Sequence, residues 1–228
     1  MTNSPGTLYL VGTPIGNLGD MTLRAIEILR EADFVICEDT RRSGALLKHL
    51  QIRKPLRSLH DHTPKAKQQA MLEELKKGAQ AALISDAGTP LISDPGLPLV
   101  REAIRERLRV EAIPGPTAFV NALIVSGLPV HAFTFLGYLP QKEKARRDAL
   151  HAVEKESRTL IFYESPHRIA KTLKDMSEIL GDREASISRE MTKKFEETVR
   201  GKIPDLLAHF MERRIRGELT VVVGGANQ

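Results

Sequence analysis

The chain lacks tryptophan and holds a single cysteine, Cys37, among its 228 residues. One cysteine excludes an internal disulfide and any zinc site built from several thiolates. Aromatic residues make up only 4% of the sequence, so we do not expect a surface that stacks nucleobases on exposed rings. No apolar run approaches the length of a membrane span, and the start MTNSPGTLYL lacks the basic and apolar regions of a secretory signal. These absences predict a cytoplasmic protein without a membrane segment.

Positive charge is the first feature that stands out among what is present. The formal net charge is +5, and basic residues crowd the segment 41–67, where eight Lys or Arg stand against one acid, Asp61. The eight are Arg41, Arg42, Lys48, Arg53, Lys54, Arg57, Lys65 and Lys67. A run of one sign suits a phosphate backbone, although a merely soluble basic protein explains the net charge equally well. The segment 142–158 mixes both signs and is typical of a solvated helix face.

Short aliphatic runs alternate with helical periods along the chain, which is typical of sheets with crossover helices. Strands are predicted at 7–11, 33–37, 80–85, 109–113, 132–137, 158–164, 184–190 and 218–224. Helices are expected from Met21 with Asp20 as its cap, from Thr63-Pro64 to Gly78, and from Ser165-Pro166 to Gly181. The segment 113–130 is rich in proline and glycine. We therefore predict two α/β domains, 1–118 and 119–228.

Five unusual loops follow predicted strands, the position where α/β sheets collect ligands. They are GTPIGNLGD (12–20), CEDTRR (37–42), SDAGTPLISDPG (85–96), PGPTA (114–118) and YESPHR (163–168). Taken singly, each has a plain structural interpretation. Glycines serve tight turns, Asp86 and Asp94 can cap turns, PGP can be a rigid linker, and the pair Glu38–Asp39 can bind nearby arginines.

Two further segments favour plain interpretations as well. His60, Asp61 and His62 resemble metal ligands, but no third strong ligand accompanies the two imidazoles, so we predict no metal site. The segment SISREMTKKFEE (186–197) can be an exposed charged turn.

In their order along the chain, however, these motifs resemble the tetrapyrrole-methylase superfamily of S-adenosylmethionine-dependent enzymes. More closely they resemble its bacterial ribosomal branch, the 16S rRNA cytidine-2′-O-methyltransferases. The resemblance spans residues 8 to 225 and is carried by LYLVGTPIGNLGDMTLRAIEIL, ADFVICEDTR, LISDAGTPLISDPG, IPGPTA, FLGYLP, FYESPHRI, SREMTKKFEE and GELTVVVGG. The TPIGNL, EDTR and SDAGTPLISDPG stretches are specific to the ribosomal branch.

The resemblance implies two α/β domains with a cofactor cleft between them and S-adenosylmethionine as the cofactor. This cofactor carries no phosphate, which explains a glycine loop without lysine. Glycine lets the backbone approach closely, and Pro14 keeps the turn rigid. The implied cofactor-binding residues are Gly12, Pro14, Asp86, Gly88, Thr89, Thr117 and Ala118, with Tyr163 and Met191 at matching positions of the second domain.

The implied reaction is transfer of a methyl group to the ribose 2′-oxygen of a cytidine in the decoding region of 16S rRNA. A base can assist as the hydroxyl loses its proton. Candidates are Glu38, Asp39, His60 and Lys193, of which Glu38 is favoured, and no metal is required. Residues expected to bind the RNA are Arg41, Arg42, Arg53, Arg57, Arg168, Lys193 and Lys194. Arg41 follows Glu38 and Asp39 so closely that it can instead pair with those carboxylates.

The resemblance also predicts the binding partner and the assembly of the protein. The resemblance implies the small ribosomal subunit as the partner and a homodimer as the assembly. Members of the family commonly continue past the GELTVVVGG strand with a basic segment, whereas this chain stops at Gln228. The segment 41–67 or a second subunit would then bind the RNA. Two alternatives stay open: methylation of a tetrapyrrole or protein side chain, and a non-catalytic RNA-binding relic of the fold.

Overall fold

The structure, a computed structural model, describes residues 4–211 and 215–226; Gln228 lies outside the described residues. The chain divides into two compact units, Met1–Thr117 and Ala118–Gln228, and the sequence prediction puts this division one residue later. Each unit is built around one five-stranded sheet with helices, which confirms the predicted α/β class. Among the described residues no helix is long and apolar enough to cross a membrane.

The first unit holds a wholly parallel sheet with the strand order β3-β2-β4-β1-β5. Its strands are β1 (Thr7–Val11), β2 (Phe34–Cys37), β3 (Leu56–Ser58), β4 (Ala81–Ile84) and β5 (Arg109–Ile113). Its helices are α1 (Leu23–Glu31), α2 (Thr40–His49), α3 (Lys65–Lys76) and α4 (Leu97–Arg105). Because all five strands are parallel, every loop that follows a strand lies at the same end of the sheet, where the strands have their carboxyl ends.

Continuous apolar runs explain the two central strands of this sheet. All residues of β2 (FVIC) and β4 (AALI) are buried, as expected for strands covered on both faces. Residues of α3 and α4, such as Leu72 and Leu99, pack in the core on one face. Leu29 of α1 and Leu47 of α2 pack in the core on the other.

The second unit holds a mixed sheet with the order β6-β7-β10-β8-β9, in which only β6 and β7 pair in parallel. Its strands are β6 (Phe133–Tyr138), β7 (Thr159–Glu164), β8 (Glu184–Arg189), β9 (Glu197–Lys202) and β10 (Leu219–Val223). Its helices are α5 (Ala118–Ser126), α6 (Glu143–His151), α7 (Ile169–Leu180) and α8 (Ile203–Met211). The register places the ends of β7 and β8 beside the start of β10.

Two predicted helix starts are wrong. Asp20 ends a short 3-10 helix, and α1 begins at Leu23, where the Thr22 hydroxyl accepts a hydrogen bond from the Ala25 N–H at 3.1 Å. Ser165 opens a turn rather than α7, which begins at Ile169. In both places the nearest polar or proline signal belongs to the turn that precedes the helix.

Candidate functional site

The loops after β1 and β4 are hydrogen-bonded to each other at the carboxyl ends of the strands of the first sheet. The N–H of Thr13 donates to the carbonyl of Gly88 at 2.9 Å, and the N–H of Gly88 donates back at 3.1 Å. The buried Thr13 hydroxyl also donates to the carbonyl of Ser85 at 3.2 Å. These bonds fix the glycine loop against the SDAG turn, so the two predicted cofactor loops form one backbone surface.

The loop after β5 packs against the other side of the β1 loop. A Cβ placed on Gly12 would lie 2.7 Å from the Cα of Gly115, and a Cβ on Gly115 would lie 2.8 Å from the Cα of Gly12. Real Cβ atoms do not approach other atoms so closely. The packing of the β5 loop against the β1 loop therefore requires a glycine at position 12. The sequence predicts a role in cofactor binding for Gly12 but not this role in packing. Pro14 follows, half-buried, in the same loop.

Three further predicted cofactor residues of the first unit meet beside this contact. The hydroxyls of Thr89 and Thr117 share a hydrogen bond of 2.7 Å, and Thr89 also donates to the carbonyl of Pro116 at 3.3 Å. Gly88 has φ +80°, a conformation that favours glycine. Ala118, the last of the predicted group, is the first residue of α5 and of the second unit.

Asp86 is held by the segment that follows β2. One carboxylate oxygen accepts from the backbone N–H of Asp39 at 3.3 Å, and the other accepts from the guanidinium of Arg42 at 3.1 Å. The side chain of Asp86 keeps 21% of its surface exposed. A residue predicted for the cofactor and one predicted for RNA are thus partners in the structure, and Arg42 is not a free cation.

The four candidate bases differ in their surroundings. Hydrogen bonds from the side chain and backbone of Arg41 lower the pKa of Asp39, the cap of α2, to about 2. For Lys193, partial burial acts against the charge, but the hydrogen bond to Glu190 and the charge of Glu218 raise its pKa above the usual range. Both groups are therefore poor proton acceptors near neutral pH.

Glu38, which directly follows β2, is an accessible carboxylate among the four candidate bases. It is exposed and makes no hydrogen bond or ion pair with any residue in the described part of the chain. Its charge acts on Asp94 in the loop after β4: burial first, and then the charge of Glu38, raise the pKa of Asp94 to about 6. His60, the fourth candidate, follows β3 and lies exposed one strand further from the β4 loop.

In the second unit, the predicted cofactor residues Tyr163 and Met191 lie at the carboxyl ends of strands, Tyr163 in β7 and Met191 after β8. Tyr163 lies at the end of β7, with its ring 5.0 Å from that of Phe135 and 5.5 Å from that of Tyr138. Met191 follows β8 and is 9% exposed, between Glu190 and Thr192, which have φ +49° and +66°. Non-glycine residues in this left-handed region are uncommon and cluster at functional sites.

Three of the predicted RNA-binding cations are engaged in the structure. Arg57 forms a two-pronged bond with Glu74, with both N–O distances 2.6 Å. Arg168 donates to the buried carboxylate of Glu164 at 2.8 Å and to the carbonyl of Leu139 at 3.1 Å. Lys193 binds the Glu190 carboxylate at 2.8 Å. Each of these three cations therefore has an acidic partner within the protein, and its contact with phosphate stays a prediction.

Arg41, Arg53 and Lys194 are exposed, but they differ in their neighbours. Arg41 binds the Asp39 carboxylate through two nitrogens, at 3.2 and 2.9 Å. Lys194 lies 5.7 Å above the ring of Phe195. Arg53 has no ion pair with any residue of the described ranges, so its guanidinium is available to a ligand.

Three further residues carry signals in the sequence and lie at notable places in the structure. Lys48 and Lys54 belong to the basic segment 41–67 that suits a phosphate backbone, although neither is singled out in the list of residues expected to bind the RNA. Tyr138 follows a β-bulge in β6, where Gly137 has φ +62°, and the FLGYLP motif is the signal that marks it. Bulges often re-aim a side chain next to a functional site. Within residues 4–211 and 215–226, no group of three or more His, Cys, Asp or Glu is arranged to hold a metal ion.

Two buried side-chain oxygens at these edges lack a hydrogen-bond partner among the described residues: Asp20 Oδ2 after β1 and Thr192 Oγ1 after β8. Buried polar atoms of this kind call for a partner. A polar group that bound beside either oxygen would supply the partner that it lacks.

Solved structures of known proteins share this architecture. A family model for tetrapyrrole (corrin/porphyrin) methylases matches residues 7–207. Among solved structures, cobalt precorrin-4 methyltransferase, a cobalamin biosynthetic enzyme, has a TM-score of 0.70 at 18% identity and covers 96% of this chain and 94% of its own. The uroporphyrin-III C-methyl transferase from Thermus thermophilus complexed with S-adenyl homocysteine has a TM-score of 0.63 at 20% identity, covering 97% and 98%. At these identities the likeness shows the fold.

Curated relatives are much closer in sequence. The protein named ribosomal RNA small subunit methyltransferase I from Thermotoga maritima is 48% identical over 220 residues, which cover 96% of this chain and 99% of that protein. The protein of the same name from Escherichia coli O157:H7 is 47% identical, covering 98% of this chain and 79% of that protein. A long segment beyond the match is therefore not shared by all relatives. This chain belongs to the tetrapyrrole methylase family and, within it, to the methyltransferases named ribosomal RNA small subunit methyltransferase I.

Proposed function

We propose that the protein transfers a methyl group from S-adenosylmethionine to the ribose 2′-oxygen of a cytidine in the 16S rRNA of the small ribosomal subunit. The observation that carries the proposal is the 48% identity with the Thermotoga maritima methyltransferase over 99% of that protein's length. The motifs that resemble the cytidine-2′-O branch supply the finer choice of atom and nucleotide.

The cofactor fits the residues present. S-adenosylmethionine supplies the methyl group on a positively charged sulfur, and its amino-acid and ribose ends present donors and acceptors. In the first unit, the joined loops of Thr13 and Gly88 offer close backbone, and the hydroxyls of Thr89 and Thr117 offer polar atoms beside it. In the second unit, Met191 offers an apolar surface. We assign these residues, with Asp86 and Tyr163, to binding and orienting the cofactor.

Proton transfer is the chemical task left to the chain. A ribose hydroxyl is a weak nucleophile, and a positioned carboxylate accelerates its reaction by accepting the proton. Glu38 suits this role because it is exposed beside the β4 loop and has no ion-pair partner among the described residues, whereas Asp39 is tied to Arg41. Holding the reacting atoms in line contributes more to the rate than a strong base does.

The test is transfer of labelled methyl from S-adenosylmethionine to 30S subunits and to naked 16S rRNA that lack the modification. Digestion to nucleosides identifies the product, and 2′-O-methylcytidine is expected. Label on a base, on a ribosomal protein or on a tetrapyrrole offered as substrate would reject the proposed specificity. Absence of cofactor binding by calorimetry would show a relic without activity.

Glu38→Gln refines the assignment of the base. We expect kcat to fall about a hundredfold, within the usual range for general acid–base catalysis, with an unchanged cofactor Kd. A matched control is Glu31→Gln, an exposed carboxylate at the end of α1. Full activity of Glu38→Gln would remove Glu38 from the mechanism.

Assembly and location are part of the same proposal. We expect a homodimer, because α5 and the chain that follows it expose apolar side chains that a second copy can cover. They are Val120, Ile124, Val125, Val130 and Phe133. A substrate in the ribosome implies that the enzyme works in the cytoplasm, where ribosomes are assembled.

A further inference from the structure

A pocket in the first unit lies beside the C-terminal half of α2, away from the loops assigned to the cofactor. Its volume is about 650 Å³. It is lined by Gly44, Leu47, Lys48, Gln51, Ile52, Arg53, Lys54 and Leu56. We propose that this α2 pocket binds one unstacked nucleotide of the substrate RNA together with its flanking phosphates, an inference that rests on the proposed function for the identity of the RNA.

The end of α2 gives the pocket a fixed shape. The N–H of Gln51 donates to the carbonyl of Lys48 at 3.1 Å, and the N–H of Ile52 donates to the carbonyl of Leu47 at 2.8 Å. This is the pattern that ends a helix with one left-handed residue, here Gln51 with φ +57°. Leu47 and Ile52 are both buried in the core, so the chain turns sharply and rigidly at this point.

Charge is the main argument for an anionic ligand. Lys48, Arg53 and Lys54 line the pocket, and none of its lining residues is acidic. In the described ranges none of the three cations has an ion pair, unlike Arg41, Arg57 and Arg168. Three cations that share one concavity with no carboxylate concentrate anions there and release counterions when a phosphate backbone binds.

A second pocket shows that this pattern is not general. It lies along α6, has a volume of about 490 Å³, and is lined by Glu143, Lys144, Arg147, Asp148 and His151. Arg147 is already bound to Asp175 and Glu178. The carboxylates in the lining and the pairing of Arg147 weaken the attraction for phosphate at α6. The two pockets therefore differ in what they can bind even though both are open grooves on a helix.

The lining of the α2 pocket selects a nucleotide rather than a bare anion. The half-buried Leu56 provides apolar contact for a base, with the buried Leu47 and Ile52 behind it, and the Gln51 amide can donate to and accept from a base edge. Ligand pockets typically measure about 300–1,000 Å³, a size that holds one nucleotide but not a duplex. Proteins read single-stranded RNA by receiving splayed bases in this way.

The experiment compares two charge reversals of equal size. The pocket variant is Lys48→Glu/Arg53→Glu/Lys54→Glu. The control is Lys142→Glu/Lys144→Glu/Lys155→Glu, which reverses one cation on α6, one just before the helix and one just beyond it. Binding to 30S subunits and to a single-stranded 16S rRNA fragment is measured across salt concentrations. We expect the pocket variant to bind the fragment at least about tenfold more weakly and to lose about 2 units of log–log salt slope, since each single-strand contact contributes about 0.7. The control should change both quantities far less.

A photocrosslink locates the RNA independently of affinity and of activity. A fragment that carries 4-thiouridine should crosslink to the peptide that spans residues 44–56 of the wild-type protein. Cytidine 5′-monophosphate at millimolar concentration should reduce this crosslink, and inorganic phosphate at the same concentration should reduce it less. If the triple variant does not fold, Lys48→Gln/Lys54→Gln serves in its place.

Several results would overturn the inference. Equal losses in the pocket and control variants would show an effect of net charge alone. Weaker binding to 30S subunits with unchanged binding to the fragment would make the pocket a contact for a ribosomal protein. Equal competition by phosphate would make it a simple anion site. If the wild-type protein methylates rRNA but gives no crosslink at 44–56, the proposed function stands and this inference fails. The crosslink without any rRNA methylation would instead support the α2 pocket and reject the proposed function.

Discussion

Gly12 and Gly115 touch through their backbones, so that a side chain on either would overlap the main chain of the other. The β1 loop is thereby held between the β4 loop, to which Thr13 is hydrogen-bonded, and the β5 loop. The glycine loop after β1 resembles a ligand-binding loop, but packing against Gly115 is what requires one of its glycines, Gly12. The close approach creates the backbone surface on which Gly88, Thr89 and Thr117 lie.

Gly12→Ala should therefore destabilise the fold by about 1–3 kcal/mol, the usual cost of forcing extra atoms into a packed site. The free energy of unfolding in urea measures it. Gly44→Ala is the matched control, because its Cβ would meet only Leu56 Cδ1 at 3.6 Å, an ordinary contact, within α2. Alanine in a helix interior is expected to stabilise by up to about 1 kcal/mol. A stable Gly12→Ala variant that fails only to bind cofactor would contradict the packing role.

Asp86→Asn should weaken S-adenosylmethionine binding ten- to a hundredfold, since a hydrogen bond to a charged group contributes about 1.5–3 kcal/mol. Calorimetry measures the affinity. Arg42→Ala tests whether Asp86 acts directly. The Arg42 side chain is 70% exposed, and exposed ion pairs contribute at most about 1 kcal/mol, so its loss should cost less than about fivefold. Equal losses in both variants would mean that Asp86 works by positioning the α2 segment.

Asp94 gives the fold a specific pH dependence. Its pKa is about 6 in the folded chain because of burial and the charge of Glu38, against about 3.9 when unfolded. Between these values the folded chain holds a proton that the unfolded chain has released, so the free energy of unfolding falls as pH rises through this window. Below about pH 4 there is no penalty, and above about pH 6 it is complete, at most about 3 kcal/mol.

Asp94→Asn carries no charge to bury and should lack this fall. Urea unfolding of both proteins at about pH 4.5 and pH 7 isolates the effect, because carboxylates such as Asp39, whose pKa is lowered, contribute equally to both. We expect the variant to gain stability relative to the wild type at the higher pH. A difference between the two proteins that does not change with pH would show that Asp94 is not the group responsible.

The sequence pattern predicts eight of the strands and misses β3 and β9, for one physical reason. Both lie at an edge of their sheet, and their sequences, LRS and ETVRGK, are largely polar. A central strand must be apolar because both faces are covered, whereas an edge strand is held partly by its backbone bonds and tolerates charge. Apolar runs therefore reveal the central strands and the edge strands β5 and β6, which keep apolar residues, but not the polar edge strands β3 and β9.

The candidate site shows a similar limit. Its loops can be predicted because glycine, proline and aspartate after a strand are local signals. Which cations are free is not local: Arg42 meets Asp86 across 44 positions of the sequence, and Arg57 meets Glu74 across 17. A count of charges in the segment 41–67 cannot separate these pairs from Arg53, because the pairing is decided by the order of the strands.

Arg57 and Arg53 make this distinction testable, since the sequence predicts one role for both. Arg57 lies 3.7 Å above the ring of Phe34 and binds Glu74 through two nitrogens, so Arg57→Ala should cost about 1 kcal/mol of stability and leave RNA affinity nearly unchanged. Arg53→Ala should change stability by less than about 0.5 kcal/mol but weaken RNA binding. Urea unfolding and RNA titration of both variants measure these effects. The opposite pattern would restore Arg57 to the RNA-binding surface.

The proposed homodimer predicts a specific role for α5. Ile124 on this helix is 64% exposed, and a two-fold interface would bury it twice, once in each copy. Ile124→Lys should therefore weaken dimerisation by at least about a hundredfold, since burying one such side chain contributes about 1.5–3 kcal/mol. Light scattering at micromolar concentration should give a dimer mass for the wild type and a monomer mass for the variant, with an unchanged fold by circular dichroism. Ile104→Lys is the matched control, because Ile104 is 60% exposed on α4 of the first unit. A monomeric wild type would refute the dimer, and dissociation of the Ile104 variant instead of the Ile124 variant would move the interface to α4.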